Sequence, residues 1–96
     1  MHRFIEWDSD KAQSNYLKHG IRFEFAARVF DDPLAVAVQD RYENGELRWQ
    51  TLGRVEGLLL LLVAHTVRDG EDGVEVIRII SARRPTKQEK RRYENN

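Results

Sequence analysis

The first third of the chain has a pattern that predicts one short strand followed by two helices. Residues 3–7 are compatible with a strand. Asp8 is a good helix N-cap and Gly20 can adopt the left-handed conformation that ends many helices, so residues 9–19 are predicted as the first helix. Apolar residues then recur at helical spacing, and this second helix should end before Pro33, because a residue that precedes proline disfavours the α region. The apolar positions of the second helix are Phe23, Ala26, Ala27 and Phe30.

The middle of the chain changes to a pattern that is typical of strands. Residues 34–38 are compatible with a strand, and the Asn-Gly pair at residues 44–45 is a strong signal for a hairpin turn. Polar and apolar residues alternate over 47–54, which puts Arg48 and Arg54 on one face. A leucine-rich run over residues 58–67 predicts a central strand that is buried on both faces or nearly so.

The last part of the chain predicts one more strand and a final helix. Residues 69–73 are rich in Gly and Asp and predict a turn before a strand over 74–82. Thr86 and Glu89 have the spacing of a capping box, so a helix is predicted over residues 87–94. The resulting order is β-α-α-β-β-β-β-α, an α+β fold with an antiparallel sheet and the helices packed on it.

The composition limits the class of protein. The 96 residues predict a single domain spanning 1–96, and the 41% hydrophobic residues are enough for its core. The absence of cysteine excludes a disulfide scaffold and a zinc site with cysteine ligands. The longest apolar run, residues 58–64, is too short to cross a bilayer, and the first residues lack the apolar stretch of a signal peptide. We therefore expect a cytoplasmic protein.

Overall neutrality conceals a basic C-terminal end. The chain has 16 basic and 16 acidic residues, but residues 83–96 contain six basic and two acidic ones and carry a net charge of +4. Such an asymmetry indicates an anionic partner for the basic end. The alternative is a solvated tail without a partner.

Two kinds of side chain are candidates for chemistry, although no spacing typical of a known catalytic or metal-binding motif is present. His65 is a candidate general acid or base, because histidine titrates near neutral pH; the alternative is a partly buried histidine with a structural hydrogen bond. Arginines from several strands are suited to binding phosphate, and the alternative is a solvated or ion-paired face. These arginines are Arg48, Arg54, Arg78, Arg83 and Arg84.

In combination, these residues resemble the BrnT toxin family, and the resemblance covers nearly the whole chain. Its most specific parts are the Lys-His-Gly sequence at residues 18–20 and the Ile-Arg-Ile-Ile-Ser-Ala-Arg-Arg sequence at residues 77–84. The other matching positions are Phe4, Ile5, Glu6, Trp7, Asp8, Lys11, Asn15, Phe23, Ala26, Phe30, Asp31, Asp32, Pro33, Arg48, Gly53, Arg54, His65, Thr66, Glu89, Tyr93 and Glu94.

The resemblance implies a toxin of a type II toxin–antitoxin system with a RelE-like ribonuclease fold. Such a toxin would be a metal-independent endoribonuclease without a cofactor, which cleaves RNA and thereby inhibits translation. A BrnA-type antitoxin, itself a DNA-binding dimer, would neutralise it in a heterotetramer and connect it to operator DNA. No membrane partner is expected.

The implied reaction is attack of an RNA 2′-hydroxyl on the adjacent phosphate, which needs a base, an acid and cations around the phosphate. We expect phosphate contacts from Arg48, Arg54, Arg78 and Arg83. His65 is the first candidate acid or base, Tyr93 or Glu89 would assist, and Lys18 and His19 are second candidates. Further contacts to RNA are expected from Arg84, Lys87, Lys90 and Arg91.

Two other classes of function fit the same residues. A non-catalytic nucleic-acid-binding or regulatory module would use the same basic helix and aromatic side chains. A structural subunit would dock an acidic partner on its basic end. Cleavage of RNA by the purified chain separates the first reading from both of these.

Overall fold

The computed structural model describes residues 3–95 and contains one five-stranded sheet with helices on both of its faces. The strands are β1 (Arg3–Trp7), β2 (Val36–Glu43), β3 (Glu46–Val55), β4 (Leu59–Asp69) and β5 (Glu75–Arg83). The helices are α1 (Ser9–His19), α2 (Phe23–Ala26) and α3 (Lys87–Glu94); a 3-10 helix, Ala27–Asp31, continues α2, and a 3-10 turn, Glu71–Gly73, precedes β5. The order along the sheet is β1-β5-β4-β3-β2.

The first strand makes the sheet mixed. β1 runs parallel to β5, with Arg3 opposite Glu75 and Trp7 opposite Ile79, whereas every other neighbouring pair is antiparallel. The α+β class is confirmed, but the prediction of an antiparallel sheet was wrong for β1. Turns between consecutive strands indicate antiparallel pairing, whereas a parallel pair needs a long crossover that leaves no local signal in the sequence.

The predicted second helix is only partly α-helical. α2 has four residues, and the chain then tightens into a 3-10 helix, which has three residues per turn. Phe23, Ala26 and Val29 are therefore spaced by a whole turn, and all three are fully buried. Phe30, which the helical spacing placed on the buried stripe, is only partly buried.

Local signals at the ends of the other elements are confirmed. The side chain of Asp8 accepts a hydrogen bond from the backbone N–H of Asp10 at the start of α1, and Gly20 ends that helix with a φ of 71°. Thr86 and Glu89 form the predicted capping box at the start of α3. The hairpin between β2 and β3 turns at residues 44–45, where both residues have a positive φ.

The two faces of the sheet pack against different helices. α1, α2 and the 3-10 helix cover one face and form the main core with it. The buried residues of this core are Ile21, Phe23, Ala26, Val29, Val55, Leu61, Val63, Ile79 and Ala82. On the opposite face, α3 crosses from β5, where Arg83 contacts Glu89, to β3, where Arg54 contacts Tyr93. α3 therefore lies above Leu60 and Leu62 of β4, which are also buried.

Asn15 joins α1 to the edge of the sheet. β1 pairs with β5 only as far as Ile79, so the backbone of Ala82 has no strand partner on that side. The side chain of Asn15 takes its place: Oδ1 accepts from the Ala82 N–H at 3.0 Å, and Nδ2 donates to the Ala82 carbonyl at 2.9 Å. Nδ2 also donates to the carbonyl of Ile21 at 3.2 Å, so one buried amide connects α1, the following loop and β5.

Over residues 3–95, no helix combines the length and the apolar character needed to cross a membrane.

Candidate functional site

Four of the predicted arginines lie on one face of the sheet, the face that α3 crosses. Directly paired residues point to the same face, and so do residues two apart on one strand. On β4, Leu60, Leu62 and Thr66 share a face by this rule. Their partners are Arg54 opposite Leu60, Arg83 opposite Leu62, and Arg48 and Arg78 on either side of Thr66. We call this surface, defined by Arg48, Arg54, Arg78 and Arg83, the arginine face.

A bulge in β5 brings Arg83 onto the arginine face. Arg78 and Arg83 are five positions apart, so strict alternation would put them on opposite faces. Opposite the consecutive residues Ala64 and His65, however, the pairing on β5 moves from Ser81 to Ile79. The residue between them, Ile80, is the extra residue of the bulge, and it shifts the alternation of the strand by one position.

The two arginines at the far end of this face, Arg48 and Arg78, each contact a carboxylate. Arg78 contacts Glu6 of β1 at 3.0 Å, and Arg48 lies 3.5 Å from Glu43. Arg68 of β4 shares the same Glu6 carboxylate at 3.4 Å. Arg78 is 44% exposed, so its pair contributes little to stability, whereas only 20% of the Arg48 side chain is exposed.

Arg83 is held much more firmly than the other arginines. Its Nη1 and Nη2 donate to Oε1 and Oε2 of Glu89 at 2.8 and 2.9 Å, and Nη1 also donates to the Arg84 carbonyl. The hydrogen bonds from Arg83 lower the pKa of Glu89 to about 2, and those same bonds raise the pKa of Arg83. Glu89 is therefore ionised at neutral pH and acts as the partner that fixes the guanidinium of Arg83.

A second cluster, which we call the Asp32 cluster, consists of Asp32, Arg54 and Tyr93. Oδ2 of Asp32 accepts from the Tyr93 hydroxyl at 2.7 Å and from the backbone N–H of Arg54 at 2.8 Å, and Oδ1 accepts from the N–H of Leu34 at 2.9 Å. The guanidinium carbon of Arg54 lies 5.3 Å from the centre of the Tyr93 ring, within the range of a cation–π contact.

The contacts of the Asp32 cluster shift the pKa values of Asp32 and Tyr93 in opposite directions. Burial alone would raise the pKa of Asp32, but the hydrogen bonds from Arg54, Tyr93 and Leu34 outweigh this and lower it. Burial and the hydrogen bond to Asp32 raise the pKa of the Tyr93 hydroxyl. Asp32 matches the family pattern but was not among the predicted site residues. Its side chain accepts from the backbone N–H two residues later, at Leu34, which is a turn that Asp commonly forms.

His65 lies on the other face of the sheet and is not brought together with the arginines. Only 3% of its surface is exposed, its Nε2 lies 2.7 Å from the Thr51 hydroxyl, and its Nδ1 lies 3.3 Å from the Thr66 carbonyl. Phe30 packs edge-on against the ring at 4.9 Å. Burial lowers the pKa of His65 to about 4, so the ring is neutral at pH 7. These surroundings are those expected of a buried histidine with a structural hydrogen bond. His65 also lines a groove of about 550 Å³, together with Trp49.

Lys18 and His19 line a different groove, of about 390 Å³, between α1 and β5. Lys18 is exposed and His19 is half-buried. Lys11, which is also exposed, lines the same groove. Ser81 forms the β5 side of this groove, next to the bulge and two residues before Arg83. The groove therefore lies beside the strand end that carries Arg83.

The outer surface near α3 is basic. Its side chains are exposed and make no ion pair with any residue of 3–95, and they are the ones predicted to contact RNA: Arg84, Lys87, Lys90 and Arg91. Among residues 3–95 as a whole, no three His, Asp or Glu side chains are grouped so that they could hold a metal ion.

Comparison with known proteins decides the family. A family model described as the ribonuclease toxin BrnT of type II toxin–antitoxin systems matches residues 7–89. The chain belongs to the BrnT family. A solved structure, the ribonuclease toxin BrnT of Brucella abortus, is 23% identical to it, with a TM-score of 0.58, over 91% of this chain and 100% of that one. This second likeness shows the shared fold, and a search of curated proteins found no match.

Membership of the BrnT family confirms the resemblance seen in the sequence. The family consists of ribonuclease toxins of type II toxin–antitoxin systems, which implies endoribonuclease activity on RNA and an antitoxin partner. The BrnT fold of this chain is α+β with a mixed five-stranded sheet, and its arginine face lies within the matched residues.

Proposed function

We propose that this chain is a toxin that cleaves RNA on its arginine face and thereby inhibits translation. The observation that carries the proposal is the placement of Arg48, Arg54, Arg78 and Arg83 on one face of the sheet, two on each of the strands that flank β4. Arginine matches the geometry of phosphate oxygens, and a row of such groups suits a strand of RNA.

The proposed reaction is transesterification of the RNA backbone. The 2′-oxygen attacks the adjacent phosphorus and the bond from phosphorus to the 5′-oxygen breaks, which leaves a 2′,3′-cyclic phosphate and a 5′-hydroxyl. The arginines stabilise the negative charge that builds up on the phosphate oxygens, often the largest contribution to such catalysis. We propose that the reaction proceeds without a metal ion, because these guanidinium groups provide the positive charge.

The individual roles follow from the contacts of each side chain. Arg83, fixed by Glu89, is proposed to hold the phosphate that is attacked. Arg54, which contacts Tyr93 on the far side of β4, is proposed to bind a neighbouring phosphate. Arg48 and Arg78, whose present partners are Glu43 and Glu6, are proposed to bind other phosphates of the RNA. These contacts make RNA binding dependent on salt, since each neutralised phosphate releases counterions.

For proton transfer, the sequence prediction offers His65 first and Lys18 and His19 as second candidates. The burial and hydrogen bonds of His65 support a structural role for it. Of the two histidines in residues 3–95, His19 is the accessible one, and it lies with Lys18 beside Ser81 on the strand that carries Arg83. We propose that His19 or Lys18 transfers a proton and that Arg84, Lys87, Lys90 and Arg91 extend the contact with RNA.

The remaining parts of the proposal come from the family. The chain would be neutralised by a BrnA-type antitoxin, a DNA-binding dimer that assembles with two toxins and brings them to operator DNA. RNA and the antitoxin would be met in the cytoplasm. A RelE-like arrangement of the RNA-cleaving site is proposed on the same grounds.

Purified protein and a mixed-sequence RNA provide the test. The parent should produce fragments that end in 2′,3′-cyclic phosphates, and Arg83→Ala should reduce their rate of formation at least tenfold. Arg22→Ala is the matched control, because Arg22 is stacked on Tyr16, away from the arginine face, and it should keep the parent rate within twofold. RNA that is bound but stays intact would favour the non-catalytic binding module, and equal losses in both variants would reject the arginine face.

A further inference from the structure

We infer that Asp32 is a positioning residue of the proposed RNA-cleaving site, which holds Arg54 and Tyr93 together at the edge of the arginine face. This inference rests on the proposed function of that face. Asp32 is far in sequence from both residues, 22 positions from Arg54 and 61 from Tyr93, and it contacts them through the same carboxylate oxygen.

The hold on Arg54 arises from the way the sheet ends. β2 begins at Val36, which pairs with Leu52, so Arg54 lies beyond the part of β3 that β2 covers. The backbone N–H of Arg54 on that side therefore has no strand partner, and a buried N–H needs an acceptor. Oδ2 of Asp32 supplies it at 2.8 Å, which fixes the backbone from which the Arg54 side chain leaves the sheet.

The hold on Tyr93 arises from the composition of α3. No residue between Lys87 and Glu94 is buried, so this helix lacks an apolar face that would bind it to the sheet. The ion pair of Glu89 with Arg83 attaches its first turn to the sheet. The hydrogen bond from the Tyr93 hydroxyl to Asp32 attaches its last turn. Loss of the Asp32 carboxylate removes the attachment of the last turn and leaves the pair of Arg83 and Glu89 intact.

An amide cannot replace this carboxylate. Three donors, the Tyr93 O–H and the N–H groups of Arg54 and Leu34, converge on its two oxygens. Asparagine has one oxygen and one NH₂ group, so at least one of the donors would face another donor. The Asp32→Asn variant therefore keeps the size of the side chain and disturbs its contacts selectively.

The test compares Asp32→Asn with Asp31→Asn, a neighbouring exposed carboxylate that makes no side-chain hydrogen bond to any residue in 3–95. With the same mixed-sequence RNA, Asp32→Asn should lower kcat at least tenfold. Its affinity for an RNA that carries 2′-deoxyribose and cannot be cleaved should fall less than threefold, because the other arginines remain. Asp31→Asn should keep both values within twofold of the parent.

A second comparison separates positioning from general destabilisation. Val63→Ala removes part of the buried core on the other face and should keep the parent kcat at a temperature well below its Tm, whereas Asp32→Asn loses activity at that temperature. In a Tyr93→Phe background, the loss of kcat caused by Asp32→Asn should be at least threefold smaller, since the hydroxyl that Asp32 binds is already absent.

Each remaining outcome is decisive. A parent that cleaves RNA alongside an equally active Asp32→Asn overturns the positioning role alone. A loss of activity that follows the Tm in the same way for Asp32→Asn and Val63→Ala also overturns it. A folded parent that leaves RNA intact overturns the proposed function, and the positioning role with it.

Discussion

His65 and Arg78 lie on neighbouring strands, one position out of register, and their side chains leave the sheet on opposite faces. His65 pairs with Ile79 and is buried beneath the 3-10 helix, whereas Arg78 pairs with Thr66 and is exposed beside Glu6. Two residues that sequence analysis assigned to one site are therefore separated by the thickness of the sheet. The histidine that is accessible in residues 3–95 is His19, which lies beside β5.

The burial of His65 predicts that stability depends on pH. Its pKa is about 4 in the folded protein and 6.5 in its ordinary state, so the unfolded chain takes up the proton first as the pH falls. The free energy of unfolding should thus decrease by about 2 kcal/mol between pH 7 and pH 5. Urea unfolding at several pH values measures this slope, which His65→Gln should remove. His19→Gln should retain it, and an unchanged slope in His65→Gln would reject the assignment.

The pair of Arg83 and Glu89 predicts a second dependence, at lower pH. The pKa of Glu89 is depressed to about 2, so its contribution is complete above its ordinary pKa of 4.5 and is lost as the pH falls from there towards 2. Glu89→Gln should lower the free energy of unfolding by about 1 to 3 kcal/mol at pH 7 and have little effect near pH 2. Glu94→Gln, on the same helix but without an ion pair to residues 3–95, should match the parent at both values.

Asn15 predicts a large loss of stability on truncation. Asn15→Ala leaves the N–H and carbonyl of Ala82 without partners inside the protein, and an unsatisfied buried group costs about 1 to 3 kcal/mol. We expect a decrease of about 2 to 4 kcal/mol in the free energy of unfolding, measured in urea at pH 7. Gln13→Ala, an exposed position on α1, should change it by less than about 0.5 kcal/mol. Equal effects in both variants would mean that the amide does not support the edge of β5.

The close approach of β3 to the 3-10 helix at Gly53 leaves no room for a larger side chain. A Cβ atom there would lie 2.7 Å from Cγ1 of Val29 and 2.9 Å from its carbonyl oxygen. Gly53→Ala should therefore reduce the free energy of unfolding by about 1 to 3 kcal/mol. Val29→Ala removes the first contact and leaves the second, so the double variant should be more stable than the sum of the single effects predicts. Strict additivity would show that the two residues do not collide.

The arginine face predicts a salt dependence of RNA binding. Four phosphate contacts to single-stranded RNA give a slope of about −3 in a plot of log K against log salt, and each contact removed should reduce it by about 0.7. Arg48→Ala and Arg78→Ala should each show this change with an RNA that cannot be cleaved. Arg22→Ala should keep the parent slope, and a slope near zero for the parent would argue against the face.

Local chemistry explains which parts of the fold could be predicted from the sequence. The N-cap at Asp8, the capping box at Thr86 and the alternation that places Arg48 and Arg54 on one face all depend on residues close together in the chain. These features are confirmed. The 3-10 helix was missed because its spacing of three resembles the helical spacing over so short a segment.

The missing parts depend on contacts between distant residues. The parallel partner of β1 is β5, whose paired residues lie more than 70 positions away in the sequence. The bulge at Ile80 reverses the face of every later residue in β5, so the sequence alone places Arg83 on the wrong side of Arg78. Asp32 meets Tyr93 only after the sheet and α3 have formed, which is why its contacts could not be predicted.

The pairing of β1 with β5 also limits the order in which parts of the fold can form during synthesis. Arg3 can pair with Glu75 only after residue 75 has been translated, and Asn15 can contact Ala82 only after residue 82. Arg78 and Arg83 lie on that late strand, and Tyr93 follows it. A nascent chain that ends before residue 75 therefore lacks both the partner strand of β1 and the two cations that β5 adds to the arginine face.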